Sequence, residues 1–251
     1  MMKTPAEQFG EEVSRSIRGL GADTGLQAAS REWVDQSAKH KYTYNFRWLG
    51  RPIIQLPQDI LAMQELIWSI RPDLIIETGI AHGGSLIFSA SMLELSAACG
   101  GPENAEVLGV DIDIRAHNRE AIEAHPLFKR ISMIQGSSIA PEIIAQVRVV
   151  AANHARVLVC LDSDHTHDHV LAELEAYAPL TSVGSYCVVY DTIIDDLPAD
   201  MFPDRPWGPG DNPKTAVREY LKMHPEFEID KCIPHKLLIT VAPDGYLKRT
   251  R

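Results

Sequence analysis

Hydrophobic residues along this chain arrive in short dense packets, and between the packets they return every three or four positions. Packets of this kind read as strands buried on both faces, and the three-to-four spacing reads as helices with one apolar side. Strands are therefore predicted at residues 74–76, 107–110, 131–134, 157–161 and 186–190. Helices are predicted after them in turn, at 84–98, 116–124, 141–152, 169–178 and 213–223. Two further strands, 227–230 and 236–242, are predicted to close the chain as an antiparallel pair. Ahead of the first strand, Ile60, Leu61, Met63, Leu66, Ile67 and Ile70 give residues 58–70 a helical period that stops before Pro72. Residues 6–17 and 26–39 can also form helices. The aromatic-rich stretch 42–57 is broken by Gly50, Pro52 and Pro57 and is predicted to be irregular.

Strand–helix alternation predicts an α/β fold: a doubly wound, mostly parallel sheet of seven strands with an antiparallel C-terminal strand. The chain divides into an N-terminal helical and irregular segment, residues 1–57, and a domain carrying the chemistry, residues 58–251. In sheets of this type ligands bind beyond the carboxyl ends of the strands, so the residues following each strand are the candidates.

The richest such position follows the run VLVCL. Asp162, Asp164, His165, His167, Asp168 and His169 come directly after it, and the next strand leads into Asp191. Two carboxylates delivered to one sheet edge can hold a hard divalent cation, which prefers oxygen ligands. Imidazoles as a class titrate near neutrality, and His165, three residues after Asp162, is the best-placed general base. The first strand runs into IIETGIAHGGS, a glycine-rich turn containing Glu77, Gly79, His82, Gly83 and Ser85. It is not G-x-G-x-x-G, and an acid at Glu77 suits a cationic or hydroxyl-bearing ligand better than a pyrophosphate. Asp111 ends the second strand where carboxylates commonly grip ribose hydroxyls, and Gln135, Gly136 and Ser137 follow the third, within reach of an adenine.

A formal net charge of −10 argues against nucleic acid or an anionic membrane as the main partner. No apolar run approaches the ~18–20 residues needed to span a bilayer, and the start MMKTPAEQFGEEVSRS lacks the apolar core of a secretory signal. Cys99, Cys160, Cys187 and Cys232 show no C-x-x-C spacing and read as structural thiols of a cytoplasmic protein. The connection 193–212, rich in Pro, Gly and Asp, has the length of a lid or binding loop.

The motifs W-L-G-R-P, R-P-D-L-I-I-E-T-G, H-G-G-S, V-D-I-D, L-D-S-D-H, V-V-Y-D-T and G-Y-L-K-R, between about residues 48 and 248, resemble the cephalosporin hydroxylase/rhamnosyl O-methyltransferase family. That family lies within the class I S-adenosylmethionine-dependent methyltransferases. The resemblance implies a Rossmann-like fold that binds S-adenosylmethionine. Glu77, Gly79, His82 and Ser85 would then lie at the methionine end, Asp111 at the ribose, and Gln135, Gly136 and Ser137 near the adenine, with Asp162 completing the cofactor set. It also implies Mg²⁺ at Asp162 and Asp191. Related sugar methyltransferases carry an acidic pair after the fifth strand where this chain has Tyr190-Asp191, so Asp164, Thr192 or a water would supply the missing ligand, Thr192 being the expected one. The implied activity is a Mg²⁺-assisted O-methyltransferase acting on a hydroxyl of a sugar or glycosylated metabolite, as a monomer or a homo-oligomer. The alternatives are a nicotinamide-dependent oxidoreductase or hydroxylase component, and a non-catalytic partner that keeps a methyltransferase fold.

Overall fold

The computed structural model describes residues 3–201 and 203–251. Helix α1 (Pro5–Ala22) opens with a capping box between Thr4 and Glu7, and α2 (Thr24–Ala38) is capped by the Asp23 side chain, which accepts from Leu26 N. After a 3-10 turn at Tyr42–Asn45, the stretch expected to be irregular forms a small hairpin, β1 (Arg47–Trp48) with β2 (Arg51–Pro52). The Trp48 indole donates to Ser91 Oγ at 2.9 Å and meets Phe88 edge-on, so the hairpin is anchored on the core. Pro57 does not break structure but opens α3 (Pro57–Ile70), where its missing N–H costs nothing.

Alternation then proceeds as predicted: β3 (Leu74–Thr78), α4 (Gly84–Ala98), β4 (Glu106–Asp111), α5 (Ala116–Glu123), β5 (Ile131–Gln135), α6 (Pro141–Ala151), β6 (Val157–Leu161), α7 (His167–Tyr177), β7 (Tyr186–Val189) and α8 (Pro213–Met223). The chain closes with β8 (Phe227–Ile229), α9 (Cys232–Leu237) and β9 (Tyr246–Arg249). The seven-stranded sheet has the order β5-β4-β3-β6-β7-β9-β8, with β9 antiparallel to both its neighbours and the other pairings parallel. Successive strand residues serve opposite faces. Ile75, Val107, Leu158 and Val188 join one apolar cluster with α3 and α4, while Ile76, Leu108, Val159 and Cys187 join a second with α6, α7 and α8.

The expected strand at 236–242 is absent. Its first part belongs to α9, which ends at Leu237 ahead of Leu238 at φ 62, and its remaining apolar residues are spent in a loop sewn to α3. The buried Asp59 carboxylate draws that loop in, accepting from Thr240 Oγ1 and from Val241 N. The last strand instead follows Gly245, where any Cβ would collide with the Val189 carbonyl, so only glycine lets the chain run this close to β7.

Strand order reverses between β3 and β6, the position where such sheets open a ligand crevice. Backbone pairing continues past the strands there, Asp162 N donating to Thr78 O at 3.0 Å.

Candidate active site

Gly79 follows β3 with φ 88, and a Cβ at that position would collide with the carbonyl of Asp162. Both facts require glycine, and together they seat the end of β3 against the end of β6. Three side chains from three elements hold the turn that follows. Asp111 Oδ2 accepts from Ile80 N at 2.7 Å, Arg51 donates to His82 O at 3.0 and 2.6 Å, and Asn118 Nδ2 donates to Ala81 O at 2.9 Å. Arg51 also donates to Asn118 Oδ1, which closes the bracket. Ala81 is held at φ 45 within it, a conformation that non-glycine residues adopt only when their surroundings impose it.

Behind this turn Glu77 is buried and accepts a hydrogen bond from Ser85 Oγ, in the first turn of α4. Burial pushes its carboxyl up to about 7, against the opposing pull of Ser85. Gln55 is 5% exposed, and its Oε1 has no hydrogen-bond partner.

Three cavities meet along the sheet edge. One of about 240 Å³ is lined by Gln55, Gly79, His82, Ser85, Asp162 and Asp191, among others. A second, about 280 Å³, is lined by Asp111, Ile112, Ser137, Ser138, Asp164 and His169 and shares Gly79 and Ser163 with the first. Ile112 turns an apolar side chain outward at its edge. The third, about 460 Å³, lies under α2 and the 193–207 connection and is more apolar, with Tyr42, Tyr44, Ile194 and Trp207 in its walls. His165 and Asp191 line both the first and the third.

At that junction one ligand-type atom each from Asp162, His165 and Asp191 lies within 4.8 Å of the others. His165 Nε2 is 3.3 Å from Asp191 Oδ2, and its ring stands edge-on to Trp207. Asp191 begins its turn at φ 54. Desolvation and then the neighbouring Asp191 and Glu77 charges drive the Asp162 carboxyl well above the ordinary range. Two carboxylates and an imidazole, with negative charge crowded among them, are a donor set that a divalent cation fits.

The structure therefore brings Glu77, Gly79, His82, Ser85, Asp162, His165 and Asp191 to one place, with Asp111 and Ser137 beside it. It does not bring Thr192, Gln135 or Gly136 to the cavities. Thr192 is fully buried, lines none of the three, and its Oγ1 accepts from Asp244 N. Gln135 is exposed and accepts from Arg119 at 3.2 Å. Gly136 packs under Ile143. His169, placed at the start of the predicted helix, lies inside the first turn of α7; its Nε2 contacts Ser138 Oγ at 3.0 Å and Ser163 Oγ at 3.3 Å. Arg51, Asn118, Gln55 and Ser163 escaped the sequence reading. Arg51 stands in the W-L-G-R-P motif and Ser163 in L-D-S-D-H, so these two had a visible signal.

A parallel sheet reversed at β3/β6, a glycine turn over a buried acid and an acid ending the neighbouring strand define the Rossmann-like class of methyltransferases. The family model described as Rhamnosyl O-methyltransferase/CmcI matches residues 40–250. Among individual proteins, the rhamnosyl O-methyltransferase of Mycobacterium leprae is 32% identical over 218 residues, spanning 84% of this chain and 88% of that protein. Its counterpart in Mycobacterium tuberculosis H37Rv is 32% identical over 219 residues, 84% of this chain and 83% of its own. A CmcI structure with Mg and S-adenosylmethionine superposes with a TM-score of 0.56 at 20% identity, covering 83% of this chain and 78% of that one. The TomG O-methyltransferase of Streptomyces achromogenes, in complex with S-adenosylmethionine, gives 0.53 at 17% identity over 86% and 85%. The chain belongs to the rhamnosyl O-methyltransferase/CmcI family, and with it to the S-adenosylmethionine-dependent O-methyltransferases. That membership sets aside the nicotinamide-dependent and non-catalytic alternatives. No helix among the described residues is long and apolar enough to cross a membrane.

Proposed function

We propose that the protein transfers the methyl group of S-adenosylmethionine to a hydroxyl of a sugar or glycosylated small molecule, with Mg²⁺ held by Asp162 and Asp191. The observation carrying this reading is that two cavities meet at His165 and Asp191, with Asp162 grouped beside them, and that a third adjoins at Gly79 and Ser163. The two smaller cavities take the cofactor. Glu77 would supply a buried acid behind the methionine end, the unpaired Gln55 oxygen would accept from an ammonium group, and Asp111 and Ile112 would offer a carboxylate and an apolar face to ribose and adenine. The larger cavity takes the acceptor, with residues 1–57 supplying one of its walls and residues 58–251 the rest of it and most of the cofactor site.

A bound divalent cation supplies Lewis acidity that lowers the pKa of an acceptor hydroxyl. His165, on the same edge, accepts the hydroxyl proton as the oxygen takes the methyl group. Asp191 sits beside its Nε2 and stabilises the imidazolium that results. Mg²⁺ prefers oxygen, which leaves the imidazole free for this task. The close grouping of all three side chains favours a second reading in which His165 is itself a ligand, as suits a softer metal such as Mn²⁺ or Co²⁺. The four unpaired cysteines suit a reducing cytoplasm.

The test is transfer of label from methyl-labelled S-adenosylmethionine to rhamnosides and other glycosides, with and without chelator. Label transfer that chelator stops and Mg²⁺ restores is the expected result. Transfer indifferent to chelator removes the metal, and transfer only to non-sugar hydroxyls removes the acceptor class.

A further inference from the structure

Charge is unevenly divided among the three joined cavities. Among the described residues, no Lys or Arg lines either of the two smaller ones, whose charged walls are Asp111, Asp162, Asp164 and Asp191. Lys41 and Arg205 both line the large one. They come from segments far apart in sequence, the turn after α2 and the connection after β7, and the fold brings them to a single space. In a chain of net charge −10 that concentration is against the average.

Neither cation forms an ion pair with a carboxylate of the described residues, whereas the acids on the same wall are engaged. Asp164 accepts from Thr166 N and Thr166 Oγ1, and Asp191 stands against His165. Arg205 lies over the Trp207 ring at 5.5 Å, a stacking that leaves the guanidinium edge available. Lys41 is held with φ 50, the left-handed conformation that glycine and asparagine adopt readily and lysine does not. Lys41 is exposed and lines the cavity, and its backbone conformation is one that the surroundings must impose.

We propose that the acceptor carries an anionic group, a carboxylate or phosphate, bound by Lys41 and Arg205 while its hydroxyl reaches Asp162, His165 and Asp191. This rests on the reading of the large cavity as the acceptor site. The aromatic and aliphatic wall between the two ends, with Tyr42, Tyr44 and Ile194, accommodates the ring that carries both groups. Division of labour follows from charge. The acid-lined cavities receive a sulfonium-bearing cofactor, and the cation-bearing one receives an anion.

The experiment is calorimetric titration of the full chain, saturated with S-adenosylhomocysteine and Mg²⁺, with three ligands on one frame: 4-nitrophenyl β-glucoside, its 6-phosphate, and the matching glucuronide. At least one anionic ligand should bind tenfold or more tighter than the neutral glucoside. That preference should shrink with added salt and vanish in the K41Q/R205Q double variant, with S-adenosylhomocysteine binding unchanged. Equal affinities, no measurable binding of any of the three, or a preference surviving in the double variant would overturn the proposal. Loss of S-adenosylhomocysteine binding by the wild-type chain would instead strike the methyltransferase reading beneath it, so the two failures are distinguishable.

Discussion

Arg51 closes on the carbonyl oxygen of His82 with two N–H groups, Nε at 3.0 Å and Nη2 at 2.6 Å, and so clamps the turn between β3 and α4 to the N-terminal hairpin. A charged donor to a partly buried carbonyl contributes about 1.5–3 kcal/mol, and here it shapes a loop that a ligand must meet. Arg51→Ala should weaken S-adenosylhomocysteine binding by roughly 10–100-fold in calorimetry, with a smaller loss in Arg51→Lys. Wild-type affinity in the alanine variant would show that the turn holds its shape without the clamp.

Gly79→Ala tests the seam between β3 and β6. The new methyl group meets the Asp162 carbonyl and the residue must keep φ 88, so strain and collision add. We expect a loss of about 2–4 kcal/mol, read as a fall in Tm on the order of 5–15 °C for a domain of this size. A melting point within about 2 °C of wild type would mean that the seam yields easily.

Much of this site could be read from sequence because strands buried on both faces leave unbroken apolar runs, and the polar residue ending each run falls at the ligand edge. Asp111, Asp162 and Asp191 were visible for that reason. Arg51 and Asn118 act on backbone carbonyls 31 and 37 residues away, and no side-chain pattern announces such a partner. The run at 236–242 misled because its apolar character serves a loop held by Asp59, a residue on a distant helix. Thr192 shows the limit of counting along the chain: Asp191 turns left-handed, and the next side chain leaves the sheet edge for the interior.

Glu77 gives the fold a pH dependence. Its carboxyl titrates near 7 in the folded chain against 4.5 ordinarily, so folding favours its protonated form. Its contribution is present in full below about pH 4.5 and is lost as pH rises towards 7, amounting to about 3 kcal/mol. Between pH 5 and 8, urea denaturation should show the wild type losing stability relative to Glu77→Gln, and parallel curves would refute the assignment. The cationic cofactor favours the ionised acid, so its binding at pH 6 should release a proton, measurable as buffer-dependent calorimetric heat.

His165 separates the two readings of the junction. As general base, its replacement by alanine should lower kcat by ~10²–10⁴ and abolish the rise in rate with pH while leaving metal affinity near wild type. As a ligand, it should weaken metal binding first, and excess metal should restore part of the rate. His167→Ala is the control, since its ring bonds Thr215 Oγ1 at 2.8 Å and faces Glu219, and it should stay within about tenfold of wild type. His169 cannot serve as a second control, because it lines the cavity that contains Asp111 and Ser137.

Asp162 should show stability traded against function. Its carboxyl is desolvated and crowded by Asp191 and Glu77, which raises its proton affinity and destabilises the ionised form. Asp162→Asn removes the charge and keeps the shape, so the metal-free variant should melt above the metal-free wild type. Adding Mg²⁺ at about ten times its Kd should stabilise the wild type by about 1.4 kcal/mol, a rise of roughly 3–5 °C, and should leave the variant unmoved. Crowded acids kept at a cost in stability make sense only where a cation relieves them. Differential scanning fluorimetry across a Mg²⁺ series reads both halves of the prediction. A variant that melts below the wild type, or that gains as much from Mg²⁺, would mean that Asp162 is held for structure and that the cation binds elsewhere.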